Sequence, residues 1–140
     1  MMISTKGRYG LRIMLDISQQ NSDEFISLKS ISERQGISMK YMEIIVAALN
    51  KNGLLKSQRG KDGGYKLTKS PEEYTVGEII RATEGQLTSV SCPDCGHDDK
   101  TCENSANCLT LPIWRKLDMM INSCLDEIRL TDVLNGAVEI

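Results

Sequence analysis

The chain has 140 residues, of which 40% are hydrophobic, 4% are aromatic and 26% are charged, and its formal net charge is −2. This length and composition are typical of one small globular domain and argue against disorder. No apolar run approaches the roughly 18 residues that a membrane span requires. Charged residues among the first 20 positions argue against a signal peptide. We therefore expect a cytoplasmic protein that makes no contact with a membrane.

Positive and negative charges are divided unevenly along the chain. Residues 1–69 contain 12 lysines and arginines against 6 acidic residues, whereas residues 70–140 contain 5 against 13. A basic half indicates a polyanionic partner, and an acidic half repels the same partner. The sequence therefore predicts nucleic-acid binding by the first half, with chance clustering of solvated charges as the alternative.

Helical periodicity begins near the N-terminus. The pattern predicts a first helix over residues 6–20 and a short second helix over residues 28–35, which stops at Gly36. Ser38 is a favourable N-cap for a third helix over residues 39–52. Two helices joined by about three residues have the spacing of a helix-turn-helix.

The pattern changes after the third helix. Residues 54–59 and 65–68 are strand candidates, and the glycine-rich run between them predicts a hairpin tip. A further helix is predicted over residues 76–84. The order of these elements predicts a mainly α fold with a small β-hairpin, in which residues 1–85 form a winged helix-turn-helix DNA-binding domain.

The third helix is expected to enter the major groove with its N-terminal side chains. Those side chains belong to Ser38, Lys40, Tyr41, Glu43 and Ile44. Phosphates repel Glu43, but its carboxylate accepts a hydrogen bond from cytosine, so we expect it to select among operators. A solvated surface charge is the alternative for Glu43, and a simple N-cap is the alternative for Ser38.

The predicted hairpin tip and the start of the first helix add further DNA-binding candidates. Arg59 is expected to lie in the minor groove and Lys61 to neutralise a phosphate. The tip also contains Gly63 and Gly64, and glycine permits a positive φ and close approach to the DNA backbone. Phosphate contacts are also expected from three residues near the N-terminus: Ser4, Lys6 and Tyr9.

Residues 86–108 show no periodicity, which is uncommon in a small domain unless the segment has a function. They carry four clustered cysteines, namely Cys92, Cys95, Cys102 and Cys108. Thiolates suit zinc or an iron–sulfur cluster, and a spacing with only one tight pair favours the cluster. His97 is either a further ligand or a polar loop residue.

A long helix is predicted from Pro112 to about Arg129. It carries an apolar stripe formed by Ile113, Leu117, Met120, Ile121, Cys124 and Ile128. Because a small domain has little core to receive this stripe, residues 109–140 are expected to form a dimerisation helix and a C-terminal tail. Packing against the first helix is the alternative. Cys124 is expected to be a buried packing residue.

Four segments together resemble a known family. Residues 4–10 (STKGRYG) resemble its opening motif, residues 37–43 (ISMKYME) its recognition helix and residues 52–65 its wing. Residues 102–115 resemble its cluster loop and the start of its dimer helix. The chain is thus similar to the small winged-helix regulators that include IscR, NsrR and CymR, above all to regulators of the IscR type.

The resemblance implies a homodimeric transcriptional regulator, mainly a repressor, of genes for iron–sulfur cluster biogenesis. A 2Fe–2S cluster from cluster-donating assembly machinery would alter its choice of operator, and the residue matching Glu43 discriminates between two operator classes. Cys95, Cys102 and Cys108 match ligands of the family. The family's histidine ligand is replaced by Leu111, which cannot ligate, so Cys92 is expected to supply the fourth ligand, or else His97.

Other functions stay open at this stage. A nitric oxide or redox-sensing repressor of the NsrR type would use the same cluster. A zinc-stapled DNA-binding regulator, or an interaction module whose acidic half docks a cysteine-synthesis enzyme, would hold zinc instead. A thiol oxidoreductase would use Cys92 and Cys95. With one histidine and no set of nucleophile and base in the sequence, we expect no enzyme.

Overall fold

The computed structural model describes residues 3–21, 23–90 and 105–140. In these residues the chain forms six α-helices and one two-stranded antiparallel sheet. The helices are α1 Thr5–Gln19, α2 Leu28–Gln35, α3 Met39–Lys51, α4 Val76–Glu84, α5 Leu111–Glu127 and α6 Leu130–Leu134, and the strands are β1 Leu55–Gln58 and β2 Gly64–Leu67. The predicted mainly helical fold with a small hairpin is confirmed. Among the described helices, none is both long and apolar enough to span a bilayer.

Serine or threonine side chains set the starts of the helices in the first 85 residues. In each case the side-chain oxygen accepts a hydrogen bond from a backbone N–H of the first turn, at Ser4, Ser27, Ser38 and Thr75. Such a cap stabilises a helix by about 1 kcal/mol. Because these caps are local, the predicted helices agree with the observed ones within about one residue at each end.

The main core lies between α1, α2 and α3. Its fully buried side chains are aliphatic or methionine, including Ile13, Met14, Ile31, Met42, Ile45 and Leu49. Tyr74 is the aromatic exception, and its hydroxyl donates to the carbonyl of Leu54 at 2.8 Å while accepting from the N–H of Thr68 at 2.9 Å. These bonds attach the base of the hairpin to the helices.

An ion pair between the buried Asp16 and the exposed Arg34 joins α1 to α2. Asp16 is 2% exposed, and its carboxylate accepts hydrogen bonds from Nε of Arg34 at 3.0 Å and from Nη2 at 2.7 Å. Gln35 donates a further bond to the same carboxylate at 2.8 Å. The hydrogen bond to Asp16 raises the pKa of Arg34 above its ordinary value. The carboxylate is thus satisfied by two residues at the end of α2.

The C-terminal part of the chain packs back onto the first part. A second apolar cluster joins α4 to Leu125, Ile128 and Val133, and Arg81 of α4 bonds to Asp126 of α5. Leu130 of α6 is fully buried in the main core. Its N–H donates to the carbonyl of Tyr74 at 3.0 Å. Residues 128–134 therefore stabilise the unit that carries the helix-turn-helix, and α5 packs on α4.

Substituting Arg34 tests its ion pair with the buried Asp16. Arg34→Met leaves the Asp16 carboxylate buried without its cation, and we expect the free energy of unfolding to fall by about 2 kcal/mol. Urea denaturation followed by circular dichroism measures the change. In the control, Glu78→Gln weakens the more exposed pair with Lys69 and should cost less than about 1 kcal/mol. Equal losses in the two variants would contradict this role of Asp16.

Candidate nucleic-acid interface

The helix-turn-helix places one face of α3 in the core and leaves the other exposed. Met42, Ile45, Val46 and Leu49 are buried. The exposed residues of the opposite face are Met39, Lys40, Glu43, Ile44, Ala47, Asn50 and Lys51. Lys40 and Glu43 therefore lie on the outer face, where a major groove would meet them.

Ser38 serves as the N-cap of α3. Its hydroxyl oxygen accepts a hydrogen bond from the N–H of Tyr41 at 3.4 Å. This is the structural alternative that the sequence left open for Ser38. A contact between Ser38 and DNA stays a prediction.

Tyr9 of α1 contacts Tyr41 near the start of α3. The ring centroids of Tyr9 and Tyr41 lie 5.9 Å apart, with the rings edge to face at 71°. The guanidinium of Arg12 lies 5.2 Å from the Tyr9 centroid, and its Nη2 donates to the carbonyl of Gln35 at 2.8 Å. Through these contacts α1 holds both the end of α2 and the start of α3.

The hairpin forms a wing beside α2. Its strands pair in the register Lys56↔Lys66 and Gln58↔Gly64. The side chains at its tip, Arg59 and Lys61, are exposed. An isolated bridge between Ile26 and Tyr65, with two N–H···O bonds of 2.8 Å, attaches the wing to the residues before α2.

Gly63 and Gly64 lie in close contact with backbone atoms of the protein itself. A Cβ on Gly64 would lie 2.1 Å from the carbonyl oxygen of Ile26, and a Cβ on Gly63 would lie 2.3 Å from that of Gln58. Gly64 has a φ of 155°, as the sequence analysis allowed, but Gly63 does not take a positive φ. Close packing of the wing requires these two glycines, and their predicted approach to DNA stays a prediction.

Glu84 is a residue of this surface that the sequence analysis missed. Its Oε1 accepts hydrogen bonds from the N–H of Ser4 at 2.9 Å, from the N–H of Gly7 at 2.8 Å and from the Ser4 hydroxyl. The Ser4 oxygen also accepts from the N–H of Lys6 at 3.1 Å. The Ser4 hydroxyl, a predicted phosphate contact, is therefore already bonded within the chain.

The sequence did contain a signal for Glu84. An acidic residue at the C-terminal end of a helix is disfavoured by the helix dipole, so a glutamate there indicates a partner elsewhere. A Cβ on Gly7 would lie 2.6 Å from Oε1 of Glu84, so the glycine makes room for the carboxylate.

Of the predicted metal ligands, only Cys108 lies within the described residues; Cys92, Cys95, Cys102 and the candidate His97 lie outside them. The Cys108 side chain is half-buried just before α5, and its sulfur lies 3.4 Å from the Thr110 hydroxyl. Hydrogen bonds from this hydroxyl, and from the backbone N–H groups of Thr110 and Leu111, lower the pKa of Cys108.

This environment fits a thiolate ligand. The deprotonated form is the one that binds zinc or iron, and donors at a helix N-terminus stabilise it. The described part of the chain contains no group of three potential metal ligands.

The structure corrects the expectation for Cys124. It was expected to be buried on the apolar stripe of α5, but its side chain is exposed in the chain taken by itself. Leu125 of α5 and Ile128, the residue that follows this helix, pack against α4 instead.

A capped recognition helix with a glycine-dependent wing defines a winged-helix DNA-binding protein. The chain belongs to the Rrf2 family, whose model, described as "Iron-dependent Transcriptional regulator", matches residues 3–136. It is 38% identical over 134 residues to the HTH-type transcriptional regulator IscR of Aliivibrio salmonicida, covering 96% of this chain and 77% of that protein.

Two solved structures have a similar fold. CymR, the global cysteine regulator of B. subtilis, has a TM-score of 0.75 and 34% identity, covering 97% of this chain and 98% of that one. IscR of T. potens has a TM-score of 0.73 and 39% identity, covering 99% and 89%. The protein is therefore a DNA-binding transcriptional regulator and not an enzyme, and repression is the mode of action that its family supports.

Removing the Glu84 carboxylate tests whether its hydrogen bonds stabilise the start of α1. In Glu84→Ala the N–H groups of Ser4 and Gly7 lose their acceptor. We expect the free energy of unfolding to fall by about 1–2 kcal/mol, as for a lost helix cap. Hydrogen exchange measured by NMR should show a less protected Gly7 amide.

Two further variants test whether the loss of stability comes from the missing hydrogen-bond acceptor. Glu84→Gln keeps an oxygen acceptor and should lose less than half as much stability. Glu33→Ala, at an exposed site on α2, should stay within about 0.5 kcal/mol of the parent protein. Unchanged protection of the Gly7 amide in Glu84→Ala would show that the carboxylate does not hold α1.

Proposed function

We propose that this protein regulates genes of iron–sulfur cluster biogenesis as a homodimer whose choice of operator depends on a bound 2Fe–2S cluster. The observation that carries the proposal is the position of the Cys108 thiol just before α5, where its sulfur lies 3.4 Å from the Thr110 hydroxyl. The IscR names of the relatives and the iron-dependent description of the family support the same function.

The ligands would be Cys92, Cys95, Cys102 and Cys108, with His97 as the alternative to Cys92. When bound, the cluster supplies one-electron redox chemistry and a lability that reports cluster supply. Cluster-donating assembly machinery is the expected source. Cys108 contributes a thiolate that Thr110 and the first N–H groups of α5 stabilise. Leu111 offers no ligand atom.

Operator DNA would be bound by the exposed face of α3 and by the wing. Lys40, Arg59 and Lys61 are exposed and form no salt bridge within residues 3–21, 23–90 and 105–140, so their charges remain available to phosphates and base edges. Glu43 would favour cytosine and disfavour close phosphates. The remaining proposed contacts are Ser4, Lys6, Tyr9, Ser38, Tyr41, Gly63 and Gly64.

The apolar face of α5 would form the dimer interface. Its exposed side chains include Ile113, Leu117 and Met120, and Met120 is 61% exposed. A second copy of the chain is the expected partner, because a two-fold dimer presents two recognition helices to two half-sites of an operator. Burial of these side chains would remove a large apolar surface from water.

A charge on this face tests the dimer. Met120→Glu would bury a carboxylate in the interface, and we expect the dimer dissociation constant to rise at least about tenfold. Sedimentation equilibrium measures the change. Gln19→Glu, which adds the same charge at an exposed site on α1, should remain dimeric. A monomeric parent protein, or a Met120→Glu dimer of unchanged affinity, would contradict the interface.

The cluster is tested by purifying the full chain without oxygen. We expect visible absorption and about two irons and two sulfides per chain, because the clustered cysteines suit a 2Fe–2S centre. Cys92→Ala should lose the cluster, whereas His97→Ala should keep it. The matched control is Cys124→Ala, which removes a cysteine outside the proposed ligand set. A colourless protein that holds one zinc would contradict cluster sensing and leave a zinc-stapled regulator.

The likeness to CymR favours a second candidate function. Its structure superposes on this chain with a TM-score of 0.75, as high as that of the IscR structure. A regulator of cysteine metabolism would bind operator DNA through the same elements, and its acidic half would dock a cysteine-synthesis enzyme. Protein that holds zinc and no iron after anaerobic purification, and that binds such an enzyme, would favour this candidate.

A further inference from the structure

The outer face of α3 has an apolar centre between two basic ends. Lys40, Ile44, Ala47 and Lys51 follow one another at helical spacing along this face, and all four are exposed. Ile44 is 50% exposed. It does not belong to the main core, whereas its neighbour Ile45 is fully buried there.

The major groove offers one apolar group that such a face can contact. Each thymine projects its C5-methyl group into the groove, whereas adenine, guanine and cytosine present polar atoms there. The branched side chain of Ile44 can cover a methyl group, and the small side chain of Ala47 lets the helix backbone lie close to the bases. Contact between these groups removes apolar surface from water on both sides.

We propose that Ile44, supported by Ala47, is a specificity-determining residue that recognises thymine methyl groups in the operator. The proposal rests on the proposed placement of α3 in the major groove and goes beyond it by assigning a base type to one side chain. Ile44 carries no donor or acceptor, so a polar base edge facing it would lose its hydrogen bonds to water. The residue therefore selects thymine by contact and rejects other bases by desolvation.

The neighbouring carboxylate makes the assignment more specific. Glu43 precedes Ile44 on the same exposed face, and its carboxylate can accept a hydrogen bond from a cytosine amino group. Lys40, one turn earlier, can donate to guanine or to a phosphate. A half-site that satisfies this face contains a cytosine and a thymine in neighbouring base pairs.

Thymine methyl groups can be removed one at a time from the DNA. A duplex is first selected by the full-length parent protein from a random-sequence library, and each thymine is then replaced by deoxyuridine. We expect one or two positions per half-site at which the loss of the methyl group weakens binding about fourfold. Fluorescence anisotropy at constant salt concentration measures the dissociation constants.

Variants of α3 assign the effect to Ile44. Ile44→Ala should bind the thymine and deoxyuridine duplexes with equal affinity at those positions, and Ile44→Val should keep most of the difference. Glu33→Ala, a change at an exposed site of α2 outside the proposed contacts, should keep all of it. Because these side chains are exposed, circular dichroism should show unchanged folding in all three variants.

The possible outcomes separate this proposal from the placement of α3. If Ile44→Ala still distinguishes thymine from deoxyuridine, or if the parent protein never does, the assignment to Ile44 is overturned. Lys40→Ala and Glu43→Gln then decide the larger question. If these two variants change DNA affinity or sequence preference, α3 still lies in the groove; if they also have no effect, the placement of α3 fails as well.

Discussion

The buried carboxylate of Asp16 is the constraint on which the DNA-binding surface depends. Its bonds to Arg34 and Gln35 hold the end of α2 against α1. Gln35 also accepts a bond from Arg12, whose guanidinium lies over the ring of Tyr9. Because an unpaired buried charge is strongly unfavourable, these bonds favour the observed arrangement of α1 and α2, from which the turn leading to α3 starts.

Helix α4 connects the two functional halves of the chain. At its C-terminal end Glu84 bonds to the first turn of α1, and one turn earlier Arg81 bonds to Asp126 of α5. The cysteine-bearing part of the chain follows directly after Glu84 in the sequence. A single helix thus contacts the helix that lies beside α3 and the helix that presents the proposed dimer face.

Several lysines and arginines fall into two groups according to their contacts. Arg34, Lys69 and Arg81 form salt bridges that join elements of the fold. Lys40, Arg59 and Lys61 take part in no salt bridge of the described residues, and they lie on the face of α3 and at the tip of the wing. The cations therefore separate into those that join elements of the fold and those that remain available to DNA.

The helices, the hairpin and their winged-helix order could be predicted from local sequence signals, because N-caps, glycine stops and apolar periodicity act over a few neighbouring residues. The spacing of the cysteines and the basic first half are likewise visible in the sequence. The pairing of Asp16 with Arg34, the hydrogen bonds of Glu84 to α1 and the packing of Gly64 against Ile26 emerge only in the folded chain. These contacts join residues far apart in the sequence, and local spacing carries no record of which distant groups meet. The exposure of Cys124 likewise depends on which side of α5 packs against the rest of the chain.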